Sequence, residues 1–142
     1  MVSFARAQEK DKQMEKKIIE HGDLAFSRDD TALKMSLFLP EASTTATLPC
    51  VLVIQGGGFR SVDGKRFRPF AEYLARNGYA AALISYRGRP EHQYDTTIAD
   101  CKTAVRYVRS VADKYNIDPE RIGAMGRSAG GTLAALLALT VC

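Results

Sequence analysis

Arg121-Ile122-Gly123-Ala124-Met125-Gly126-Arg127-Ser128-Ala129-Gly130-Gly131, running into Thr132-Leu133-Ala134-Ala135-Leu136-Leu137-Ala138-Leu139, is the stretch that decides the fold. Residues 121–125 read as a buried strand and 132–139 as a helix that is apolar nearly all round, so it is expected to be buried. Between them stands G-x-S-x-G, Gly126 to Gly130. A nucleophilic serine must stand on a very sharp strand-to-helix turn, with its hydroxyl exposed and its backbone strained. Side chains two positions to either side would strike the neighbouring strand and helix, so only very small residues fit. The same turn aims the first amides of the helix at the site, where they favour negative charge. Ser128 is therefore the candidate nucleophile. The bland alternative is a tight turn with an incidental serine.

Upstream, the same rhythm of strand and helix repeats. Residues 50–54, Cys50-Val51-Leu52-Val53-Ile54, form a continuous apolar run, as expected of a strand covered on both faces. Residues 69–76 read as a helix with Pro69 in its first turn and Phe67, Phe70, Ala71 and Leu74 on one face. Asn77-Gly78 supplies a left-handed C-cap, and 79–84 is the next buried strand. Asp95 is expected to cap a helix whose apolar positions are Ile98, Cys101, Val105, Val108, Ala112 and Tyr115. Residues 18–26 and 33–39 read as an antiparallel hairpin turning at Asp29-Asp30 and ending at Pro40, and 41–48 as a surface loop. Residues 1–17 are a polar tail or short helix, which leaves 18–142 as the domain. The fold class is thus α/β: an antiparallel hairpin followed by parallel strands with helices on both faces. Ligands in such sheets sit at the C-terminal strand ends.

A second glycine-rich segment, Gln55-Gly56-Gly57-Gly58-Phe59, falls at such an end. Acyl transfer passes through a tetrahedral oxyanion, and glycines let backbone N–H groups come close enough to hold it. Three glycines alone are a weak signal. Paired with the serine turn across two strand–helix units they become a strong one.

These residues resemble the hormone-sensitive-lipase-like and acetyl-esterase branch of the α/β-hydrolases, including carbohydrate acetyl-esterases. The resemblance covers residues 50–139. The branch's H-G-G-G-[FW] appears as Gln55 to Phe59, its Y-R-x-x-P-E-H as Tyr86-Arg87-Gly88-Arg89-Pro90-Glu91-His92, and its D-P-x-R-I-x-x-x-G-x-S-A-G-G as Asp118 to Gly131. It implies the N-terminal part of an α/β-hydrolase fold, with the C-terminal strands missing. It implies hydrolysis of a short-chain or acetyl ester, on a carbohydrate among other candidates, through an acyl-serine. Carried over by position, Ser128 is the nucleophile, and the N–H groups of Gly57, Gly58 and Ala129 form the oxyanion hole. No cofactor and no metal is implied. There are two departures. Gln55 stands where the branch has histidine. After Ser128 the chain contains no Asp, Glu or His, although the acid and then the histidine should follow the serine. Of the two histidines present, His92 matches a structural loop position and His21 lies in the hairpin. A serine without a base is a poor nucleophile, so this polypeptide is expected to be inactive alone. A hydrolase-like binding module without catalysis, and a piece of a prolyl-oligopeptidase-like peptidase, are the rival readings.

Composition narrows the partners. The chain has 142 residues, a net charge of +4 and basic residues spread along its length, so a nucleic-acid partner is not expected. Gly58 to Lys65 misses the P-loop spacing, and Arg66 stands where a P-loop needs Ser or Thr. Cys50, Cys101 and Cys142 form no C-x-x-C pair. No apolar run reaches the roughly 18 residues of a membrane span. Ala5-Arg6-Ala7 has the form of a signal-peptidase site but lacks an apolar segment before it, so a soluble cytoplasmic protein and an exported parent both remain open. The bare edge of the 121–125 strand is expected to drive self-association.

Overall fold

The computed structural model of the chain describes residues 2–14, 16–42 and 45–140. Helix α1 (Val2–Met14), with its described side chains exposed, precedes the hairpin β1 (Ile18–Ala25) and β2 (Lys34–Pro40). Strand β3 (Leu48–Ile54), helix α2 (Arg68–Arg76), strand β4 (Ala80–Ile84), helix α3 (Tyr94–Ser110), strand β5 (Ile117–Gly126) and helix α4 (Ala129–Leu139) follow. The strands lie in the order β1-β2-β4-β3-β5. β1 and β2 pair antiparallel, β2 runs antiparallel to β4, and β4, β3 and β5 are parallel. The C-terminal ends of the three parallel strands therefore meet at one end of the sheet.

The unbroken apolar runs are explained by cover on both faces. Leu52, Ile54, Ala80, Ala82 and Ile84 bury on the side of α3 and α4. Val53, Ala81 and Leu83 bury on the side of α2, with Phe38 of β2. Helix α2 meets the sheet through Ala71 and Ala75, with Phe67 and Leu74 partly buried beside them. Phe70 was expected on that face but is 47% exposed, its ring against Phe67. The short alanines face the strands, so the helix sits too close for Phe70 to insert. Gly78, at φ 88°, ends α2 in a Schellman motif, with Tyr79 N–H donating to Leu74 C=O and Gly78 N–H to Ala75 C=O.

Three further expectations are corrected. Gln93, not Asp95, is the N-cap of α3; Asp95 lies inside the first turn, where its Oδ1 accepts the Thr96 N–H. Strand β5 starts at Ile117 rather than Arg121. Leu48 pairs with Ile117 and Cys50 with Ile122, so residues 118–121 bulge out of the ladder. Pro119 is tolerated in that bulge because it owes no ladder bond. Helix α4 is not buried all round. Ala129, Gly130, Leu133 and Leu137 pack inward, whereas Leu139 is 82% exposed and Ala135 and Ala138 face solvent. The described chain covers α4 only from the side of β5, α3 and β3.

Burial pushes the Cys50 and Cys101 thiols up to about 12, so both stay protonated, acting as small apolar core residues. Among the described residues no helix is long and apolar enough to cross a membrane.

Candidate active site

Ser128 sits between β5 and α4 with φ 57° and ψ −124°, a conformation non-glycine residues avoid and active sites retain. The flanking glycines show why the turn needs them. A Cβ on Gly126 would lie 2.3 Å from the Gly130 carbonyl and 2.8 Å from the Ile54 oxygen. A Cβ on Gly130 would lie 2.1 Å from that same Ile54 oxygen. Strand β3 thus passes directly beneath the turn, and its continuation reaches the serine. A Cβ on Gly56 would lie 2.2 Å from the Arg127 carbonyl oxygen and 3.2 Å from Ser128 Cβ. The two motifs, about 70 residues apart in sequence, are in backbone contact.

From Gly56 the loop continues outward through Gly57 and Gly58, both exposed, into a tight turn. Arg60 N–H donates to Gly57 C=O, and Gly58 and Phe59 both have positive φ, at 62° and 60°, the mark of a type I′ turn. Phe59 pays for that conformation with contacts: its ring meets Tyr94 edge-on at 6.0 Å, and its carbonyl accepts the Arg89 N–H at 2.8 Å. Ala129 opens α4 immediately after the serine and is buried.

Gln55 holds the root of this loop. Its side chain is buried, and Oε1 accepts the Arg66 N–H at 3.0 Å. Its carbonyl accepts the Tyr86 hydroxyl at 2.5 Å. Burial pushes the Tyr86 hydroxyl up to about 12, so it remains a neutral donor. The amide standing where the family has histidine thus does bond backbone, as its chemistry allows.

The segment after β4 clamps the loop from the other side. The Arg89 guanidinium donates to Gly58 C=O at 2.9 Å, and Gly88 N–H donates to Ser61 Oγ at 2.9 Å. A Cβ on Gly88 would lie 2.2 Å from the Phe59 oxygen, so glycine is required there. Asp100 of α3, almost fully buried, anchors this segment by accepting the Arg87 N–H and two guanidinium bonds at 3.0 and 2.7 Å. Arg89, Gly88, Ser61 and Asp100 carry no signal of this role in the sequence beyond the Tyr86–His92 match, because each acts across a contact between separate loops.

A shallow cavity of about 260 Å³ opens beside the serine, lined by Gln55, Gly56, Arg66, Phe67, Arg127 and Ser128. A larger open hollow, about 920 Å³, lies near Pro40, Pro49 and Asn77, at the opposite ends of the parallel strands, and is lined by no serine, cysteine or histidine. Neither histidine lines the serine cavity. His92 donates its backbone N–H to Gly88 C=O within the clamping loop. The His21 ring tilts against Tyr115, which precedes β5, whereas Ser128 follows it. Those ends are separated by the length of the paired strand β3, 7 residues, roughly 20 Å of extended chain. Among the described residues no histidine or carboxylate hydrogen-bonds the Ser128 hydroxyl.

Residues 35–142 match the BD-FAE family. The chain is a member of that family. Probable carboxylic ester hydrolase LipM of Mycobacterium tuberculosis is 31% identical over 121 residues, a match that covers 84% of this chain and 28% of LipM. Esterase B of Lactobacillus rhamnosis, solved in an inhibited form, superposes with a TM-score of 0.78 at 27% identity, covering 96% of this chain and 47% of the esterase. The acetyl ester-xyloside bifunctional hydrolase of Caldicellulosiruptor lactoaceticus superposes with a TM-score of 0.65 at 34% identity, covering 73% of this chain and 37% of that enzyme. This BD-FAE chain therefore has the α/β-hydrolase fold and spans little more than a quarter of curated relatives such as LipM.

Proposed function

We propose that this chain supplies the nucleophile and the oxyanion site of a serine carboxylic ester hydrolase. The observation that carries the reading is the strained Ser128 turn in backbone contact with Gly56. Ser128 Oγ would attack the ester carbonyl carbon, its proton passing to a base. The carbonyl oxygen, now negative, would take N–H bonds from Gly57, Gly58 and Ala129. Collapse would expel the alcohol with a proton and leave an acyl-serine, which water would hydrolyse to the acid. We propose that the acid and the histidine lie outside these 142 residues, in keeping with the share of its relatives the chain spans, and that 18–142 is part of a longer hydrolase domain. Short acyl groups such as acetyl, on a carbohydrate alcohol, are the substrates the resemblance favours.

Mass spectrometry tests the role of the serine. Trypsin cuts after Arg127 and releases the peptide 128–142, free of Lys and Arg. After prolonged incubation with p-nitrophenyl acetate, one acetyl group is expected on Ser128, ahead of the chain's other hydroxyls. It should be trapped there, since deacylation also needs the base. Acetyl spread evenly over surface hydroxyls, with none favoured at Ser128, would remove the assignment.

The uncovered face of α4 and the free edge of β5 are also a site for association. We propose that copies of this polypeptide self-associate through them. Sedimentation velocity at several concentrations, with Cys142 kept reduced, is expected to show species larger than a monomer. A monomer at every concentration, unfolding cooperatively, would instead favour the binding-module reading.

A further inference from the structure

We propose that the cavity beside Ser128 receives a carboxylate, so that the ester this site takes is an anionic one, with a carboxylate a few bonds from the scissile carbonyl. The inference rests on the ester-hydrolase reading and departs from the neutral acetyl group that the resemblance favours.

Two arginines, Arg66 and Arg127, line the same cavity of about 260 Å³ as Ser128. Both are exposed, and neither has a carboxylate partner among the described residues. Elsewhere the chain pairs its cations readily: Arg68 with Glu20 and Glu72, Arg87 with Asp100, Arg121 with Asp118. The imbalance extends around the mouth. The three connections after the parallel strands, residues 55–67, 85–93 and 127–128, carry six basic residues and two acidic ones, and the β1–β2 turn, 26–33, which the antiparallel register of β2 on β4 brings to the same end, adds Arg28, Asp29 and Asp30. That end of the sheet therefore holds seven basic and four acidic residues, three of the chain's net charge of +4. Arg87 is neutralised by Asp100 beneath it, and Asp63 is engaged by Lys65. Asp30 also faces Arg87, which leaves Arg28, Arg60, Arg66, Arg89 and Arg127 against Asp29 and Glu91.

The chemistry favours a carboxylate over a diffuse attraction for any anion. Guanidinium groups present paired N–H donors that match a carboxylate's two oxygens. The walls between the two arginines are Gly56, Phe67 and the Gln55 amide, none of which opposes a negative charge. A neutral acetyl group would leave both guanidinium groups unused.

Arginine-specific modification tests this without any substitution, and it does so whether the chain is monomeric or associated. The 142-residue protein is treated with phenylglyoxal, and the rate at each arginine is read by peptide mass spectrometry. Monomethyl succinate is the anionic probe, and dimethyl succinate is its neutral counterpart. With about 10 mM monomethyl succinate at low salt, modification of Arg66 and Arg127 should slow by at least about threefold. Arg106 and Arg109, exposed in the last part of α3 and absent from the cavity lining, should be unaffected. Dimethyl succinate should protect none of the four, and salt near 0.5 M should abolish the effect by screening. Equal protection by the neutral ester, protection shared by Arg106 and Arg109, or no protection at all would each overturn the proposal. The acetylation of Ser128 is read separately, so an acetylated serine without selective arginine protection leaves the hydrolase reading standing while this one falls.

Discussion

Purified as the 142-residue polypeptide, the chain is expected to turn over p-nitrophenyl acetate no faster than its Ser128→Ala variant. The reason is geometric. Neither histidine lines the Ser128 cavity, and one of them packs against Tyr115, ahead of the opposite end of β5. In hydrolases with a full triad, loss of the serine or of its base alone costs about as much as loss of all three members, on the order of 10⁶ in kcat. What persists, roughly 10³–10⁴ over water, comes from oxyanion binding and substrate contacts. Those contacts are shared by the wild-type chain and by Ser128→Ala, so the two rates should coincide. A slow single acetylation of Ser128 is compatible with this, because a trapped acyl group is not turnover. Robust turnover that disappears in Ser128→Ala would show that His92, or a histidine of a second copy, reaches the serine, and the division of the triad proposed above would be wrong.

Gly130→Ala is expected to unfold the domain at markedly lower urea than wild type, with a loss of about 3 kcal/mol or more. The added Cβ would stand 2.1 Å from the Ile54 oxygen, 2.9 Å from the Ile54 carbonyl carbon and 3.1 Å from the Gln55 carbonyl carbon. All three are backbone atoms of a central strand and its loop, so no rotamer can relieve the clash. Either α4 lifts from the sheet or β3 shifts within it. Gly123→Ala is the matched control. It lies in the same strand–turn–helix unit, but a Cβ there meets nothing within 4 Å. Its midpoint should move by no more than about 0.5 kcal/mol. Chemical denaturation followed by circular dichroism makes the comparison. Equal midpoints for the two variants would mean that α4 is not held against Ile54, and the account of the turn would fail with it.

Local pattern carried much of the fold. The continuous apolar runs at 50–54 and 79–84 foretold strands buried on both faces, and both faces are covered. The glycines two residues either side of Ser128 were legible for a purely local reason, since a strand-to-helix turn that sharp excludes side chains. The contact between Gly56 and the serine turn was legible only because both motifs fall at C-terminal strand ends, which parallel pairing brings to one edge.

Contacts between loops were not legible. The Tyr86–His92 segment matched a family pattern, but nothing in its residues says that the Arg89 guanidinium reaches Gly58 C=O or that Gly88 lies under Phe59. The bulge at 118–121 was missed because Asp118-Pro119 looks like a turn, and only pairing with Leu48 makes Ile117 part of the strand. The expectation that α4 would be buried all round failed for a related reason. Hydrophobicity states what a helix can bury, not which segments are present to cover it, and Leu139 remains in solvent.

The sequence alone therefore determined the class of fold, the order of strands and helices along the chain, and the serine turn, because each is specified by residues within a few positions of one another. Tertiary structure alone decided that β4 lies between β2 and β3, that Gln55 is held by Arg66 and Tyr86, and that two unpaired arginines share a cavity with Ser128. Those facts depend on which distant segments bury their faces together. Such burial is a property of the assembled sheet rather than of any single stretch of chain.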